Sequence, residues 1–478
     1  MRVLVVTGRK AYDSVKKAVG SGAEILALDV DIGAFITPKL LRSVSNLDSY
    51  DLVLVPGLAS GDFSALETKL GVKIRLGPKH ACDLDIVLPY IDSIDLSHTM
   101  PACQLLSNKK HSEAMDIIHG LEKKADCSFE IKNLKIGGDS IMKVMGEIVD
   151  ATRLDSDVLQ EIGNEYILNG ADIIDLGVPI DATPAEVKRA VKAISSLNVP
   201  TSIDTLEPDL IMAGIEAGID MVLSLNSDNI ELVGNAIVEH GLAAVIIGDG
   251  DLKHLQENIE QAQDIGIKKV IADLILNPIG HGLVNSLMLY REFRQFSDMP
   301  LFFGAGNVTE LIDADSIGVN ATLAGIAMEL GASILFTPEY SDKAKGSISE
   351  LKTAAQMMFL AERRGTAPKD LGLDLLIIKE KRRRKDKIEV ENPIEAKPST
   401  EVVQGSEGCF RIALEDGKII AKHDEGCITG TSAKAIFDTI QGLGLAPTPE
   451  HAAYLGRELM KAELALKFGR SYMQDDEF

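Results

Sequence analysis

Residues from about 143 to 365 repeat one pattern eight times, in which a short apolar run is followed by a stretch with helical periodicity. The apolar runs, which predict β-strands, are Lys143 to Val149, Asp172 to Leu176, Thr201 to Ile203, Met221 to Leu225, Ala243 to Ile247, Lys269 to Ala272, Pro300 to Phe303 and Ser333 to Phe336. Eight β-α units in about 220 residues match a (β/α)₈ barrel in count and in size. The sequence therefore predicts an α/β chain with a TIM barrel at residues 130–370.

Two further domains and a linker are expected around the barrel. Residues 1–125 alternate apolar runs with helical stretches and predict a small doubly wound α/β domain, with strands at Val3 to Val6, Glu24 to Leu28, Leu52 to Val55 and Lys73 to Leu76. Residues 371–400 are rich in charge and proline and predict a linker. Residues 401–478 predict a small α+β domain with strands at Cys409 to Leu414 and Lys418 to Ala421, and a helix capped by Thr448.

The amino-acid composition disfavours some classes of binding partner. Lys and Arg number 49 against 72 Asp and Glu, and the resulting net charge of −23 disfavours nucleic acid and anionic lipid as partners. No apolar run approaches the roughly 20 residues that span a bilayer, and the N-terminus lacks the pattern of a signal peptide. The five scattered cysteines favour neither a disulfide framework nor a zinc cluster. We therefore expect a cytoplasmic protein.

Polar side chains follow the predicted barrel strands at their C-terminal ends, where (β/α)₈ barrels form their sites. These residues are Glu147, Asp150, Asp175, Asp204, Asn226, Asp249, Asp251, Asp273, Asn277, Asn307, Glu339 and Lys343. Carboxylates accept hydrogen bonds, and carboxamides both donate and accept them. Such a set suits a flat neutral heterocycle with several N–H donors, such as an amino-pteridine, and it also suits a sugar or a divalent cation. Residue types alone leave these three ligand classes open.

The order of residues along the first three strands resembles a known family. Gly170-Ala171-Asp172-Ile173-Ile174-Asp175-Leu176-Gly177 and Ser202-Ile203-Asp204-Thr205 resemble strings of the pterin-binding barrel family. That family includes dihydropteroate synthases and methyltetrahydrofolate-dependent corrinoid methyltransferases. The whole-chain arrangement, including the strings Gly77-Pro78-Lys79-His80-Ala81 and His451-Ala452-Ala453-Tyr454-Leu455, is similar to archaeal dihydropteroate synthase-related proteins of methanogens.

The resemblance implies a role for each candidate residue. Asp204 and Asp273 would accept hydrogen bonds from the pterin, Asn226 would complete its edge, and Asp175 would also contact the ring. Asp150 would be the Mg²⁺ ligand. Asn307 lies in a string similar to that of the methyltransferases, whose asparagine sits by the reacting pterin nitrogen. Lys343 and Lys345, or helix N-termini in the barrel mouth, would bind phosphate. Asn307 and Lys343 are thus the candidate catalytic residues.

The chain also departs from the synthase pattern. Gly304-Ala305-Gly306-Asn307 stands where the synthases have S-R-K-S, and the R-x-H pair of their eighth strand is absent from the sequence that follows Phe336.

Three functions remain open. The first is a dihydropteroate synthase-like transferase, which would condense a hydroxymethyl-dihydropterin diphosphate with an arylamine in tetrahydromethanopterin or folate-type biosynthesis. The second is pterin-dependent methyl transfer to a corrinoid on a separate protein, since the chain lacks a D-x-H-x-x-G string. The third is non-catalytic pterin binding. The resemblance favours the first, with Mg²⁺ as cofactor and a homo-oligomer, most simply a dimer, as the assembly.

Overall fold

The computed structural model describes residues 1–383, 393, 396, 409–446 and 448–476. The chain divides into two compact units, Met1–Lys387 and Ile388–Phe478. Half of the predicted linker, residues 371–400, lies outside the described residues, and the bounds of the four predicted segments stay predictions. None of the helices in the described ranges is both long enough and apolar enough to cross a bilayer.

The chain begins with a four-stranded parallel sheet in the order β2-β1-β3-β4. Val3 and Val5 pack on one face of this sheet, whereas Leu4 and Val6 pack on the other, because side chains alternate along a strand. Both faces are therefore buried, as predicted for a small α/β layer. The strands are β1 (Val3–Gly8), β2 (Glu24–Leu28), β3 (Leu52–Val55) and β4 (Lys73–Leu76), and the helices are α1 (Tyr12–Val19), α2 (Pro38–Leu41), α3 (Ser64–Leu70), α4 (Leu84–Val87) and α5 (Ala102–Lys124).

A short antiparallel hairpin, which the sequence analysis did not predict, precedes the barrel. It consists of β5 (Phe129–Ile131) and β6 (Leu134–Ile136). Ile131 and Ile136 are buried in one apolar cluster with inward-facing residues of the barrel strands. The hairpin therefore closes the base of the barrel, and any site must lie at the opposite end.

The predicted barrel is confirmed: eight parallel strands form a closed ring in chain order. The strands are β7 (Lys143–Ile148), β8 (Ile173–Gly177), β9 (Thr201–Asp204), β10 (Met221–Leu225), β11 (Ala243–Ile247), β12 (Lys269–Asp273), β13 (Leu301–Phe303) and β14 (Ile334–Pro338). The helices are α6 (Ser156–Leu168), α7 (Pro184–Ile194), α8 (Pro208–Ala217), α9 (Ile230–His240), α10 (Leu252–Ile265), α11 (Leu283–Arg294), α12 (Gly306–Thr309), α13 (Ser316–Glu329) and α14 (Ser347–Arg364).

Four of the predicted barrel strands end too early, and at two of them, β9 and β12, the difference matters for the site. β9 continues to Asp204, which pairs with Leu223, and β12 continues to Asp273, which pairs with Phe302. Each of these carboxylates therefore lies on hydrogen-bonded strand backbone and not on a loop.

The two-residue period of the strands decides which side chains enter the barrel. Ile174 packs outward against the helices, whereas Met145 and Ile173 face the interior. Two residues further along the same strands, Glu147 and Asp175 face the interior as well. The same step places three more polar residues inside, namely Ser202, Asp204 and Asp273.

Two cations lie at the base of the barrel, far from these acids along the strands: Lys143 is buried, and Lys352 is partly buried. The Lys143 ammonium donates to Glu122 Oε1 (2.6 Å), Ser140 Oγ (2.7 Å) and the Ile141 carbonyl (2.9 Å). Lys352 pairs with Asp172 at 2.6 Å. Both pairs link the strand starts to neighbouring segments, so these charges stabilise the base and not the mouth.

The second unit contains an antiparallel sheet with two helices, which confirms the α+β prediction. Its elements are β15 (Arg411–Glu415), β16 (Lys418–His423), β17 (Gly426–Gly430), α15 (Ala433–Gly442) and α16 (Pro449–Phe468). Thr448 caps α16 as predicted, because its Oγ1 accepts from the His451 N–H (3.2 Å). β17 and α15 were not predicted from the sequence.

Candidate functional site

Four carboxylates line the interior of the barrel at the C-terminal ends of its strands. They belong to Glu147 on β7, Asp175 on β8, Asp204 on β9 and Asp273 on β12. Asp175 is fully buried, and the other three are partly buried. The structure thus brings together three of the predicted pterin-binding residues and adds Glu147.

Three of these acids form one cluster, the acid triad Glu147, Asp175 and Asp204. Each contributes an oxygen, and these oxygens lie within 4.8 Å of one another. The strand register explains this proximity, since Glu147 is level with Asp175 on the adjacent strand, and Asp175 is level with Ser202 on the next. The Ser202 hydroxyl donates to Asp175 Oδ1. Asp175 Oδ2 is buried and has no hydrogen-bond partner among the described residues.

Burial and mutual repulsion make the triad hold protons. Burial, followed by the charges of Asp204 and Asp150, raises the pKa of Glu147 to about 7. Burial, followed by Asp273, raises the pKa of Asp204 to about 7. Burial and the neighbouring acids raise the pKa of Asp175 well above its ordinary value. No cation is among the causes of these shifts, so at neutral pH the triad is only partly ionised.

Gly177 leaves the space that Glu147 occupies. A Cβ at this position would collide with Glu147 Oε1. Gly177, the last residue of the string that resembles the pterin-binding family, therefore supports the acid triad because any side chain there would displace the Glu147 carboxylate.

Asp273 has partners that the rest of the acid layer lacks. Its Oδ1 accepts from the Ile275 N–H (2.8 Å) and from the buried Tyr290 hydroxyl (3.0 Å), which also lies 2.8 Å from the Phe302 carbonyl. These bonds partly offset burial, which raises the pKa of Asp273 to about 6. Ile275 has a φ of 59°, which is unusual for a β-branched residue, so the Asp273 side chain holds a strained loop.

Asn226 lies beyond the end of β10 in a turn stabilised by Asn229. The Asn226 N–H donates to Asn229 Oδ1 (2.9 Å), and Asn226 Oδ1 accepts from the Asp228 N–H (3.1 Å). Asn229 in turn donates to the carbonyls of Leu206 and Ser224, both at 3.1 Å. The Asn226 amide nitrogen has no acceptor among the described residues, so this group is available for a ligand.

Asn307 links two loops of the barrel mouth. It lies on the short helix α12, and its Nδ2 donates to the carbonyl of Leu276, which belongs to the strained loop after Asp273 (3.0 Å). The side chain is exposed, and Oδ1 has no donor among the residues that the structure describes.

The two remaining predicted residues are held in ion pairs on the rim. Asp150 Oδ2 accepts from Arg153 (3.0 Å), which also binds Asp181 (3.0 Å). Lys343 pairs with Asp313 at 2.7 Å. The assignments of Asp150 to metal and of Lys343 to phosphate stay predictions.

Four residues of this site received no role from the sequence: Glu147, Gly177, Ser202 and Tyr290. Ser202 lies two residues before Asp204 on the same strand, so the two-residue period predicts that both face the interior. Glu147 could have been identified because it pairs with Asp175 on the adjacent strand. Tyr290 lies on α11, 17 residues from Asp273 in the chain, and no local pattern connects the two.

Family models match both units of the chain. A model described as "Pterin binding enzyme" matches residues 148–272, and a model described as PterinBD-DUF4346 matches residues 404–475. The first match covers β8 to β11 in full and most of β12, and so includes Asp175, Asp204 and Asn226.

Relatives occur among methanogens. Uncharacterized protein MJ0107 of Methanocaldococcus jannaschii is 37% identical over 518 residues, covering 99% of this chain and 98% of that protein. Acetyl-CoA decarbonylase/synthase complex subunit gamma 2 of Methanosarcina thermophila is 24% identical over 191 residues, covering 38% of this chain and 39% of that protein. For the gamma subunit of Methanothermobacter thermautotrophicus the identity is 23%, with 51% and 59% covered.

Solved dihydropteroate synthases also match. The Thermus thermophilus enzyme is 20% identical, with a TM-score of 0.39, and covers 47% of this chain and 96% of its own. The Yersinia pestis enzyme is 20% identical, with a TM-score of 0.41, and covers 50% and 99%.

The barrel, its acid-lined mouth and the matching model define a class, the pterin-binding (β/α)₈ barrels. The alignment with the M. jannaschii protein, at 37% identity, covers 99% of this chain and 98% of that protein. The chain therefore belongs to the pterin-binding barrel family of methanogens.

Gly177→Ala should lower the free energy of unfolding of the barrel by about 1–3 kcal/mol, because the added methyl group overlaps the Glu147 carboxylate. The double variant Glu147→Ala/Gly177→Ala should recover most of this loss. Denaturant unfolding followed by circular dichroism measures both effects. Gly318→Ala on an open face of α13 is the control and should not destabilise the protein. If the free energy of unfolding fell equally in the single and the double variant, the Glu147 carboxylate would not lie against Gly177.

Proposed function

We propose that the barrel mouth binds a reduced pterin and that the protein serves in transfer of a methyl group carried by that pterin. The observation that supports the proposal is the layer of four inward-facing carboxylates, which form no ion pair with any cation that the structure describes. A pterin ring offers an amino group and ring N–H groups, which are donors, whereas carboxylates only accept.

Asp204 and Asp273 are the proposed acceptors for these donors. Their strands are separated in the ring by β10 and β11, so the two carboxylates approach a bound ring from different sides. Asn226 lies between them, at the end of β10, and its free amide nitrogen can donate to a ring acceptor. Asp175 is fully buried and bound by Ser202, so we propose that it acts on the ligand through its neighbour Asp204.

The charge of the site favours methyl transfer over a reaction that releases diphosphate. Through its own side chains, the acidic mouth attracts a neutral ring with N–H donors and repels an anionic leaving group, so a diphosphate would need a bound cation in addition. The rim cations Arg153 and Lys343 are already paired with carboxylates. Relatives named as subunits of acetyl-CoA decarbonylase/synthase complexes, in methanogens, also support a role in one-carbon chemistry.

In the proposed reaction, the bond between the methyl carbon and the pterin N5 breaks, and the methyl group passes to a nucleophile on a second molecule. The electron pair stays on N5, which takes a proton. Asn307 is the proposed catalytic residue at N5, because its free Oδ1 can orient an N–H group there. A corrinoid bound to a separate protein is the proposed acceptor.

Condensation of a pterin diphosphate with an arylamine is the second candidate. The similarity of the strings at both ends of the chain to dihydropteroate synthase-related proteins of methanogens favours it. This reaction would use Lys343 for the diphosphate, and Lys343 would first have to leave Asp313. The cytoplasmic location and the homodimer remain proposals under either reaction.

Asp204→Asn should weaken binding of a reduced pterin about 10- to 100-fold, the loss expected when a charge-assisted hydrogen bond of about 1.5–3 kcal/mol is removed. Calorimetric titration with tetrahydropterin measures the affinity. Asp249→Asn, on the exposed rim, is the control and should bind like the unchanged protein. An unaltered affinity in Asp204→Asn would contradict the proposed binding site.

Pterin affinity should fall in two steps as the pH decreases, first below about 7, the pKa of Asp204, and again below about 6, the pKa of Asp273, because each carboxylate accepts with both oxygens only when ionised. The binding energy from each acid is fully present above its pKa and is lost below it, so the midpoint of the lower step reports Asp273. Tyr290→Phe removes a donor that lowers the pKa of Asp273, so the midpoint should move to higher pH. Affinities measured from pH 5 to 8 in EDTA test both statements, and identical midpoints in the two proteins would disprove the role of Tyr290.

The two reactions give different products. With methyl-tetrahydropterin and a reduced corrinoid protein, methyl transfer should produce demethylated pterin, and Asn307→Ala should slow it about 10²-fold, the loss expected when an orienting group is removed. With a pterin diphosphate, an arylamine and Mg²⁺, pyrophosphate release would indicate condensation. If pyrophosphate is released and no methyl group is transferred, the second function replaces the favoured one. If neither product forms, only the proposed pterin binding remains.

A further inference from the structure

The acid triad contains more carboxyl groups than pterin binding explains. Glu147 and Asp175 lie on β7 and β8, on the side of Asp204 opposite to β10 and β12, at whose ends Asn226 and Asp273 lie. The proposed pterin contacts therefore leave Glu147 without a role and give Asp175 only an indirect one, through Asp204.

The geometry is that of a ligand set for a hard cation. The three triad oxygens lie within 4.8 Å of one another, and octahedral Mg²⁺ has ligands at about 2.0–2.1 Å, so small side-chain rotations bring all three into range. Each oxygen comes from a different strand of a rigid ring, and Gly177 keeps open the space in which the Glu147 carboxylate lies.

A second observation points to the same place. Asp175 is fully buried, and the Ser202 hydroxyl fixes its Oδ1, so the orientation of the carboxylate is set. Its Oδ2 has no partner among the described residues, although a buried carboxylate oxygen without one is costly. A cation between the three acids would satisfy Oδ2 and also remove the repulsion between the carboxylates.

We propose that Glu147, Asp175 and Asp204 bind one hard divalent cation, Mg²⁺ or Mn²⁺. The residue that the family resemblance implies for Mg²⁺, Asp150, is held instead by Arg153. Of the triad, only Asp204 is a proposed direct contact of the pterin, and the other proposed contacts are Asn226, Asp273 and Asn307. One Asp204 oxygen can face the cation while the other faces the ring.

The test uses Mn²⁺ as the probe on the full-length protein after treatment with EDTA, without pterin. The decrease of the electron paramagnetic resonance signal of free Mn²⁺ should give one site per chain, and excess Mg²⁺ should displace the bound ion. Glu147→Gln should weaken Mn²⁺ binding at least about tenfold, since a charged ligand is lost. Gly177→Ala, which displaces the same carboxylate but keeps its charge, should also weaken it.

Asp273→Asn is the matched control, because it removes an inward-facing acid outside the triad. It should keep Mn²⁺ affinity and lose pterin affinity, whereas Glu147→Gln should lose Mn²⁺ affinity and keep pterin binding measured in EDTA. No stoichiometric Mn²⁺ binding at pH 7.5, or equal affinity in Glu147→Gln with an unchanged circular dichroism spectrum, would overturn the proposal. Mn²⁺ binding without pterin binding would instead reject only the proposed function.

Discussion

Closure of eight parallel strands into a ring is the constraint on which the site depends. In an open sheet, acids on β7 and β12 would lie far apart, whereas in the ring every second side chain points to one shared interior. The apolar layer from Met145 and Ile173 and the hairpin below it fill the lower interior. The next inward positions, at the strand ends, are therefore the first place where polar groups can meet a ligand.

Placing these acids together has an electrostatic cost. Repulsion between buried carboxylates raises their pKa values, and each must hold a proton or find a positively polarised partner. The protein places buried cations such as Lys143 at the base, paired with Glu122, and so leaves the acid layer without them. The carboxylates at the mouth of the folded barrel can therefore accept hydrogen bonds from a ligand with N–H groups or bind a cation.

The sequence allowed the barrel and much of the site to be predicted because both follow from local patterns. Strands of apolar residues recur between amphipathic helices, and Asp204 and Asp273 end two of these strands. The hairpin at Phe129–Ile131 and Leu134–Ile136 was missed because three-residue strands carry too few residues for a periodic signal. The Tyr290 contact with Asp273 and the pairing of Lys343 with Asp313 depend on how helices and loops pack around the ring, and no spacing in the sequence determines that.

Asp204 connects the two proposed ligands of the mouth. As a free acid with a pKa of about 7, its carboxyl group is only partly ionised at neutral pH, and a pterin would have to displace a proton to use both oxygens as acceptors. A cation bound to the same carboxylate favours its ionised form and so prepares the second oxygen for the ring. The pterin in turn contributes donors, not charge, and does not compete with the cation for negative charge. With both proposed ligands bound, the shared carboxylate would couple the two sites in the favourable direction, since each ligand would stabilise the state of Asp204 that the other requires.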